Sequence, residues 1–238
     1  MNIDIYKLRD LKLNGATVID GFSSASMISS IVANYLINSL DLDQISILDS
    51  DDFPAISLIY GSKPKYPAGI FADGDKNIVV FLSEFTPGQQ LVRYIANTIL
   101  AWAAENECKR IIATGALTVP EEGRAHKEHK MFGVGSVDRA RRDLEKMEIR
   151  QLKTGYLTGI PAMLLNSGMR ANFDVICLLA ESQMNNGMPD TIAAAKVLEV
   201  IARLLPKVGI DLEPLYEEAE MIEDWVNEQQ QSPSLMFR

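Results

Sequence analysis

The sequence predicts an α/β protein in which helices cover a mostly parallel or mixed β-sheet. Short apolar runs alternate with longer segments of helical period through the first two hundred residues, a pattern typical of helices packed on a sheet. Four β-like runs follow closely on one another between residues 45 and 85, which favours antiparallel neighbours because parallel strands need a crossover between them. The 238 residues are 47% hydrophobic and 23% charged, so the chain has enough apolar material for a buried core.

The first half of the chain is predicted to form a strand–turn–helix unit followed by a group of strands. Residues 16–22, ATVIDGF, are rich in β-branched side chains and reach a turn at Gly21. Ser23 and Ser24 follow as suitable caps for a helix over residues 27–40. The four β-like runs come next and read ISILDS, ISLIY, GIFADG and NIVVFLSEF.

The second half is predicted to alternate helices and strands around one polar loop. Residues 118–136 are polar and contain glycine, which predicts a loop, and loops on a rigid scaffold often carry recognition. Within this loop, GVGS at 133–136 is compatible with a phosphate cradle before the next helix, but a turn that needs glycine torsions is the favoured interpretation. The other predicted elements are a helix over 89–107, a strand over 110–114, a charged helix over 137–147, a strand over 173–181 and a helix over 191–208.

Composition and charge argue against several classes of function. The formal net charge is -9, which opposes generic binding to nucleic acid or to an anionic membrane. The sequence has no uninterrupted apolar run of about 18 residues, and its first residues lack the layout of a signal peptide. Cys108 and Cys177 lie far apart without CxxC spacing, so we expect neither a disulfide framework nor a zinc site, and a reducing cytoplasm fits best.

The C-terminal part has a composition of its own, and we expect residues 208–238 to form a helix and tether appended to a core domain of residues 1–207. Residues 211–228 contain eight acidic residues and no basic one, with apolar residues at helical spacing. This pattern predicts a helix whose acidic side faces water. The polar tail that follows ends in an apolar cluster, which is costly to expose unless it docks on its own domain or on a partner. The cluster consists of Leu235, Met236, Phe237 and the terminal Arg238.

Residues with the potential for catalysis or metal binding are few. His126 and His129 lie about one helical turn apart, but a third ligand at a known spacing is missing, so no metal is expected. The sequence has no GxSxG motif, and Cys177 lies in a predicted buried strand where a thiol is inert packing. Glu181 follows at the predicted carboxyl edge of the sheet, where α/β proteins bind ligands, although a role as a hydrogen-bond acceptor is favoured.

These residues leave open an alternative function as an enzyme or a small-ligand-binding protein. Such a protein would form its pocket from the turn after the first strand and from the ends of two later strands. The residues of this possible pocket are Gly21, Ser23, Ser24, Gly115 and Glu181. We assign no catalytic residue, no metal and no cofactor from the sequence.

Three stretches of the sequence resemble the PAC2 family of proteasome assembly chaperones, and its archaeal members in particular. The first is VIDGFSSASMISSIVANYLINSL, and the second is FLSEFTPGQQLVRYIANTILAWAAENECKRIIATGAL. The third and most specific contains GYLTGIPAMLLNSG, then VICLLAES, then PDTIAAAKVLEVIARLLPKVGIDLEPLYEEAEMIEDW. The resemblance extends over residues 15 to 228. It departs from the family at Asp20 and Phe22, since members often have a more glycine- and proline-rich turn there.

The resemblance implies a three-layer α/β/α domain with a mixed sheet, similar to purine nucleoside phosphorylases. It also implies a homo-oligomeric chaperone or adaptor, without catalytic apparatus or cofactor, that binds α subunits of the 20S proteasome. Some archaeal relatives end in a hydrophobic residue, a tyrosine and a last residue whose carboxylate enters a pocket between α subunits. Met236, Phe237 and Arg238 match this ending, except that phenylalanine replaces tyrosine. The missing hydroxyl removes a hydrogen bond worth about 0.5–1.5 kcal/mol.

Overall fold

The structure of the chain, a computed structural model, describes residues 2–22, 27–118, 130–182 and 190–217. Strands and helices alternate along most of this length. The strands are β1 (Asp4–Lys7), β2 (Thr17–Gly21), β3 (Asp43–Asp49), β4 (Leu58–Tyr60), β5 (Lys63–Lys65), β6 (Ala68–Asp73), β7 (Ile78–Ser83), β8 (Arg110–Thr118), β9 (Met131–Gly135), β10 (Arg150–Gln151) and β11 (Val175–Ser182). The helices are α1 (Ile28–Ser39), α2 (Gln89–Glu105), α3 (Asp138–Lys146), α4 (Gly159–Ala171) and α5 (Thr191–Leu204).

Nine of these strands form one mixed sheet in the order β1-β3-β6-β7-β2-β8-β11-β9-β10. The centre of the sheet is parallel, since β2 pairs with β7 and β8, and β8 pairs with β11 in the same direction. The closely spaced strands β3, β6 and β7 pair antiparallel, as their spacing predicts. The run ISLIY differs from this group, because its strand β4 pairs with β5 in a separate hairpin.

Helices cover both faces of the sheet, so the predicted three-layer α/β/α class is confirmed. On one face α2 and α4 pack over a core that contains Phe81 and Ile111, and on the other α1, α3 and α5 pack over a core that contains Ile112. Neighbouring residues of β8 therefore enter opposite cores, as the pleat of a strand requires. None of the described helices combines the length and the apolar character needed to cross a membrane.

Residues 131–135 form β9 although they lie inside the predicted loop, so that part of the prediction is wrong. The cause is close packing between β9 and α3. A Cβ atom on Gly133 would lie 2.5 Å from Cδ2 of Leu144, and one on Gly135 would lie 2.8 Å from the backbone nitrogen of Arg141. Glycine at these positions lets the helix approach the strand, so GVGS is neither a phosphate cradle nor a turn.

A buried ionic cluster joins the strands at the amino edge of the sheet, where β8 and β11 begin. The Arg110 side chain is 7% exposed, and its Nε and Nη2 donate to the two carboxylate oxygens of Asp174 at 3.1 and 2.8 Å. Asp174, which is 1% exposed, also accepts from Nε of Arg139 at 2.9 Å, and Arg110 donates to Asp143 on α3 at 2.5 Å. Because each buried charge has a bonded partner of opposite charge, this cluster fixes the register of β8, β11 and α3.

The chain after α5 continues to pack on the face that carries α1 and α5. Residues 213–217 are helical, and within them Leu215 is buried in the core of that face. The hydroxyl of Tyr216 donates to the carboxylate of Glu199 on α5. The apolar side of the predicted acidic helix thus contacts the core over these residues, and the rest of that helix, 218–228, lies outside the described residues.

Candidate functional site: a cavity at the carboxyl edge of the sheet

The carboxyl edge of the sheet, where β2, β8 and β11 end, opens into a cavity of about 860 Å³. Phe22 follows β2, residues 114–117 belong to the second half of β8, and Leu179 and Ser182 come from the end of β11. These groups meet because parallel strands bring their carboxyl ends to the same edge, which is where α/β sheets place ligand sites. The volume lies within the range of about 300–1,000 Å³ found for small-molecule pockets.

The starts of two helices and the loop before one of them form the walls of the cavity. α2 contributes Gln89, Val92 and Arg93 from its first two turns, and the continuous segment 154–163 contributes the loop before α4 together with the first turn of α4. α2 and α4 pack against each other on the same face of the sheet. Their amino ends therefore lie side by side on the cavity wall.

The described residues that line the cavity include a positive side chain and no negative one. Arg93 is the one charged side chain among the described residues that line it, and no hydrogen bond or ion pair joins Arg93 to another described residue. α2 and α4 both begin without a side-chain cap and without an acidic residue in the first turn. Uncapped helix starts present free N–H groups and carry a partial positive charge. The free donors are few here, because the N–H of Leu91 donates to the carbonyl oxygen of Gly88 at 2.9 Å and Pro161 has no N–H. This wall thus contrasts with the net charge of -9 on the whole chain.

One buried polar atom of β8, close to the cavity, has no hydrogen-bond partner within the described part of the chain. Thr114 is fully buried and its Oγ1 is unpaired, and the pleat of β8 places its side chain on the same face as Ile112, toward α1 and α5. The carbonyl oxygen of the same residue accepts a hydrogen bond from the Ser29 hydroxyl at 2.8 Å. An unpaired buried hydroxyl costs about 1–3 kcal/mol, and because this one has no accessible surface, the cost belongs to the packing of β8 against α1 and not to the cavity.

A buried acid lies in β2, close to the same edge. Asp20 is 1% exposed, and its Oδ1 accepts from the backbone N–H of Phe22 at 3.1 Å, while its Oδ2 is unpaired among the described residues. Burial raises the pKa of Asp20 to about 7, and the Phe22 N–H opposes that rise. Asp20 is not among the residues that line the cavity. Its carboxyl group therefore affects the stability of the edge, and we assign it no direct contact with a ligand.

Both cysteines are buried, and burial raises the pKa of each thiol. Burial raises the pKa of Cys108 to about 11. The complete burial of Cys177 raises the pKa of its thiol, and the nearby Asp20 carboxyl adds to that rise. A thiol with a raised pKa is a poor nucleophile at neutral pH. The structure thus agrees with the expectation that Cys177 is inert packing.

The structure brings together part of the pocket predicted from the sequence. Gly115 lines the cavity, and Glu181 lies two residues beyond Leu179 on β11 but is not among the described lining residues. Gly21 is the last residue of β2 and is packed tightly against α1 and β7 instead of facing the cavity. Ser23 and Ser24 lie outside the described residues.

Other sequence predictions also concern residues outside the described part of the chain. These are the histidine pair, the remainder of the predicted loop at 119–129, and the four residues of the tail. Within the described ranges, no group of three or more histidine, cysteine, aspartate or glutamate residues is placed to hold a metal ion. The residues concerned are His126, His129, Leu235, Met236, Phe237 and Arg238.

Sequence reasoning did not single out Arg93, Thr114 or segment 154–163 as parts of a site. The sequence does contain a signal for the uncapped start of α2, on which Arg93 lies. The stretch PGQQ before the apolar helical pattern supplies no side-chain cap. A signal for the segment was also present, because TGIP places Pro161 in the first turn of a helix. The unpaired state of the Thr114 hydroxyl has no counterpart in the sequence, since it depends on the packing around β8.

The fold and the site define the class of protein, which is a three-layer α/β domain with a ligand-sized cavity at the carboxyl edge of its sheet. The sequence model of the PAC2 family matches residues 18–230. The chain therefore belongs to the PAC2 family, as the three stretches of resemblance predict. No match to the chain was found among curated proteins.

Solved structures agree with this membership. The chain is 26% identical to PbaA of Pyrococcus furiosus, described as an archaeal homolog of proteasome-assembly chaperone, with a TM-score of 0.84 and coverage of 97% of this chain and 92% of that one. A second crystal structure of PbaA gives 27% identity, a TM-score of 0.81 and coverage of 95% and 96%. PbaB of the same organism, an archaeal proteasome activator, is 19% identical with a TM-score of 0.81 and coverage of 97% and 99%, and this likeness concerns the fold alone.

Proposed function

We propose that the chain is a chaperone or adaptor for the assembly of an archaeal-type 20S proteasome, and not an enzyme. The observation that carries this proposal is the similarity to PbaA, an archaeal homolog of proteasome-assembly chaperone, over nearly the whole of both chains. Membership of the PAC2 family supports the same role. The raised pKa values of the two buried thiols, Cys108 and Cys177, oppose thiolate catalysis and so fit a binding protein.

The proposed contact with the proteasome is the tail formed by Leu235, Met236, Phe237 and Arg238. A buried aromatic ring and a terminal carboxylate that meets a basic pocket residue make a small interface, which is weak when it acts alone. A homo-oligomer would present several tails to one ring of α subunits. Linked tails then raise the apparent affinity by about 10² to 10⁴ if their spacing matches that of the pockets. In this proposal the protein acts in the cytoplasm and binds neither nucleic acid nor membrane.

Native mass spectrometry of the full chain mixed with archaeal-type α subunits tests the proposal. We expect a homo-oligomer that binds α subunits, and we expect deletion of Met236, Phe237 and Arg238 to abolish the complex while the oligomer persists. The variant Phe237→Tyr restores the hydroxyl of the relatives and is expected to bind more tightly, by a factor that corresponds to about 0.5–1.5 kcal/mol. Phe237→Ala removes the ring and is expected to bind as poorly as the deletion.

The outcomes distinguish the role in proteasome assembly from the segment that makes the contact with α subunits. If the full chain forms no complex with α subunits and does not change the yield of α rings, the assembly role is wrong. If the deletion variant binds as well as the full chain, the role stands and the tail is not the contact. Arg142→Gln, an exposed position on α3 far along the chain from the tail, serves as the matched surface control.

A further inference from the structure

We propose that the hairpin of β4 and β5 is an interaction surface for a second copy of this chain, and that the acidic segment 211–217 of that copy lies against it. Each copy then offers its hairpin to one neighbour and its acidic segment to another. The contact rests on the proposed function, because it supplies the surfaces that form the homo-oligomer named there.

The hairpin extends from the carboxyl edge of the sheet and is exposed on both sides. It joins the end of β3 to the start of β6, where Ala68 pairs with Ser83 at the end of β7. Residues 54–66 are exposed except for the partly buried Leu58, and no other described strand pairs with β4 or β5. A two-stranded hairpin is marginally stable alone in water, so a partner that covers one face stabilises it.

The exposed surface of the hairpin is apolar and aromatic. Ile59 and Tyr60, at the end of β4, are 71% and 73% exposed, and Ile56 and Tyr66 on either side of the hairpin are exposed as well. Large apolar side chains exposed together mark a surface that contacts another macromolecule. Tyrosine is enriched in the buried centres of protein–protein interfaces. We therefore expect a protein to cover these side chains.

The hairpin is also positively charged, in contrast to the chain as a whole. Residues 53–72 contain Lys63 and Lys65 and no acidic residue, whereas the net charge of the chain is -9. Both lysines are exposed, and neither forms an ion pair with a described carboxylate. Nζ of Lys65 lies 4.5 Å from the centre of the Tyr60 ring, so basic and aromatic groups share one face of the hairpin. This face favours an acidic partner surface.

The matching acidic surface lies on the side of the molecule that carries α1 and α5. Within the segment 211–217, Asp211, Glu213 and Glu217 are exposed, and none of them forms an ion pair with another described residue. Leu215 of the same segment is buried in the core of that face. The hairpin and this segment are thus opposite in charge, and such complementarity steers association and decides which surfaces meet.

The contact forms between copies, because the charges of both surfaces are exposed and unpaired within one copy. A contact between two unlike surfaces repeats around a closed ring or along an open filament. A closed ring carries one C-terminal tail for each copy, which is the arrangement that the proposed binding to α subunits requires.

An exchange of charges tests the contact, with the mass of the full chain measured by sedimentation velocity in the absence of α subunits. One variant carries Lys63→Glu and Lys65→Glu, and a second carries Glu213→Lys and Glu217→Lys. We expect the native chain to form an oligomer and each variant alone to associate at least about tenfold more weakly, because like charges then meet. An equimolar mixture of the two variants joins surfaces of opposite charge, so we expect the oligomer to return.

Two further variants separate the contact from the effects of net charge. Arg142→Glu with Lys153→Glu changes the net charge as much as the hairpin variant does, at exposed positions on α3 and after β10, and is expected to keep the native mass. Tyr60→Ser keeps the net charge and removes an exposed ring, so we expect weaker association and an unchanged urea midpoint.

Three results overturn the proposal. They are a monomeric native chain, an oligomer that persists in either charge variant alone, and a mixture of the two charge variants that does not reassemble. After the second or third result the homo-oligomer of the proposed function stands and is formed by other surfaces. The assembly role itself is decided by binding to α subunits and by the yield of α rings, so its failure and the failure of this contact are distinguishable.

Discussion

At the amino edge of the sheet the buried charges of Arg110 and Asp174 are bonded to each other, whereas at the carboxyl edge the hydroxyl of Thr114 and one carboxyl oxygen of Asp20 are buried without a partner among the described residues. At the amino edge the buried charged groups bond to one another and so hold neighbouring strands together. At the carboxyl edge these two oxygens lack a bonded partner, and α2 and α4 begin without a side-chain cap. The carboxyl edge is therefore less optimised for stability than the amino edge, as functional sites in proteins often are.

The largest expected effect is a loss of stability when one charge is removed from the buried ionic cluster at the amino edge. Asp174→Asn leaves Arg110 buried without its main carboxylate and weakens the bond to Arg139. Removal of one partner from a buried ion pair costs about 3–5 kcal/mol, and we expect a loss of this size in the free energy of unfolding by urea. The control Asp138→Asn alters an exposed pair with Arg141 and should leave the urea midpoint unchanged. Equal midpoints for Asp174→Asn and the native chain would remove the contrast between the two edges.

The second prediction concerns pH and the carboxyl edge. Burial raises the pKa of Asp20 from 3.8 to about 7, so between these pH values the unfolded chain releases a proton that the folded chain keeps. The contribution of Asp20 to the free energy of unfolding is therefore complete below about pH 4 and is lost as the pH rises to about 7, by up to about 4 kcal/mol. Urea unfolding of Asp20→Asn across this range should lack that decline.

A second acid supplies a control of opposite sign for the pH experiment. The Lys76 side chain and backbone hold the pKa of Asp73 below its ordinary value. The contribution of Asp73 is therefore present above its unfolded pKa and is lost as the pH falls through its folded pKa. Asp73→Asn should flatten the acid side of the stability profile and leave the decline toward pH 7 in place. Profiles of the native chain and Asp20→Asn that run parallel would refute the assignment to Asp20.

Two glycines at the carboxyl edge differ in how closely they are packed, since Gly21 lies against other elements and Gly115 lines the cavity. A Cβ atom on Gly21 would lie 2.2 Å from Cβ of Ala33 and 2.4 Å from the carbonyl oxygen of Phe81, whereas one on Gly115 would have its nearest contact at 3.4 Å from Cδ2 of Leu179. Gly21→Ala should therefore destabilise the chain by about 1–3 kcal/mol through overpacking. Gly115→Ala should change the urea midpoint far less, because the added methyl group meets only an ordinary contact. Similar destabilisation by both variants would contradict this division.

The sequence predicts the layers of this fold better than its edges. The apolar periods of the predicted helices and central strands are strong, and the structure contains helices and strands at 27–40, 89–107, 110–114 and 173–181 with shifted ends. Residues 118–136 are polar and contain glycine, and this composition predicts a loop where the structure has β9. The close approach of α3 that explains Gly133 and Gly135 is a tertiary contact, which the local sequence does not contain.

The candidate site was predicted only in outline for a similar reason. The end of β8 at Gly115 follows from the strand pattern and from the rule that ligands bind at the carboxyl edge. Strand order and helix packing then decide that the starts of α2 and α4 share one wall, and local sequence does not contain this information. Asp20 carries a signal, an acid within the apolar run ATVIDGF, but only the structure shows that one of its oxygens is unpaired.

The smallest expected effect comes from a side-chain cap added to α4, which would pair polar groups at the carboxyl edge as they are paired at the amino edge. Thr158 precedes α4 and provides no side-chain cap, so Thr158→Asp would cap the helix and place a negative charge at its start. We expect the free energy of unfolding by urea to rise by about 0.5–1 kcal/mol. Thr158→Asn caps the helix without the charge, so it should give most of the same gain. A Thr158→Asp variant that is no more stable than the native chain would contradict the view that the start of α4 lacks a cap.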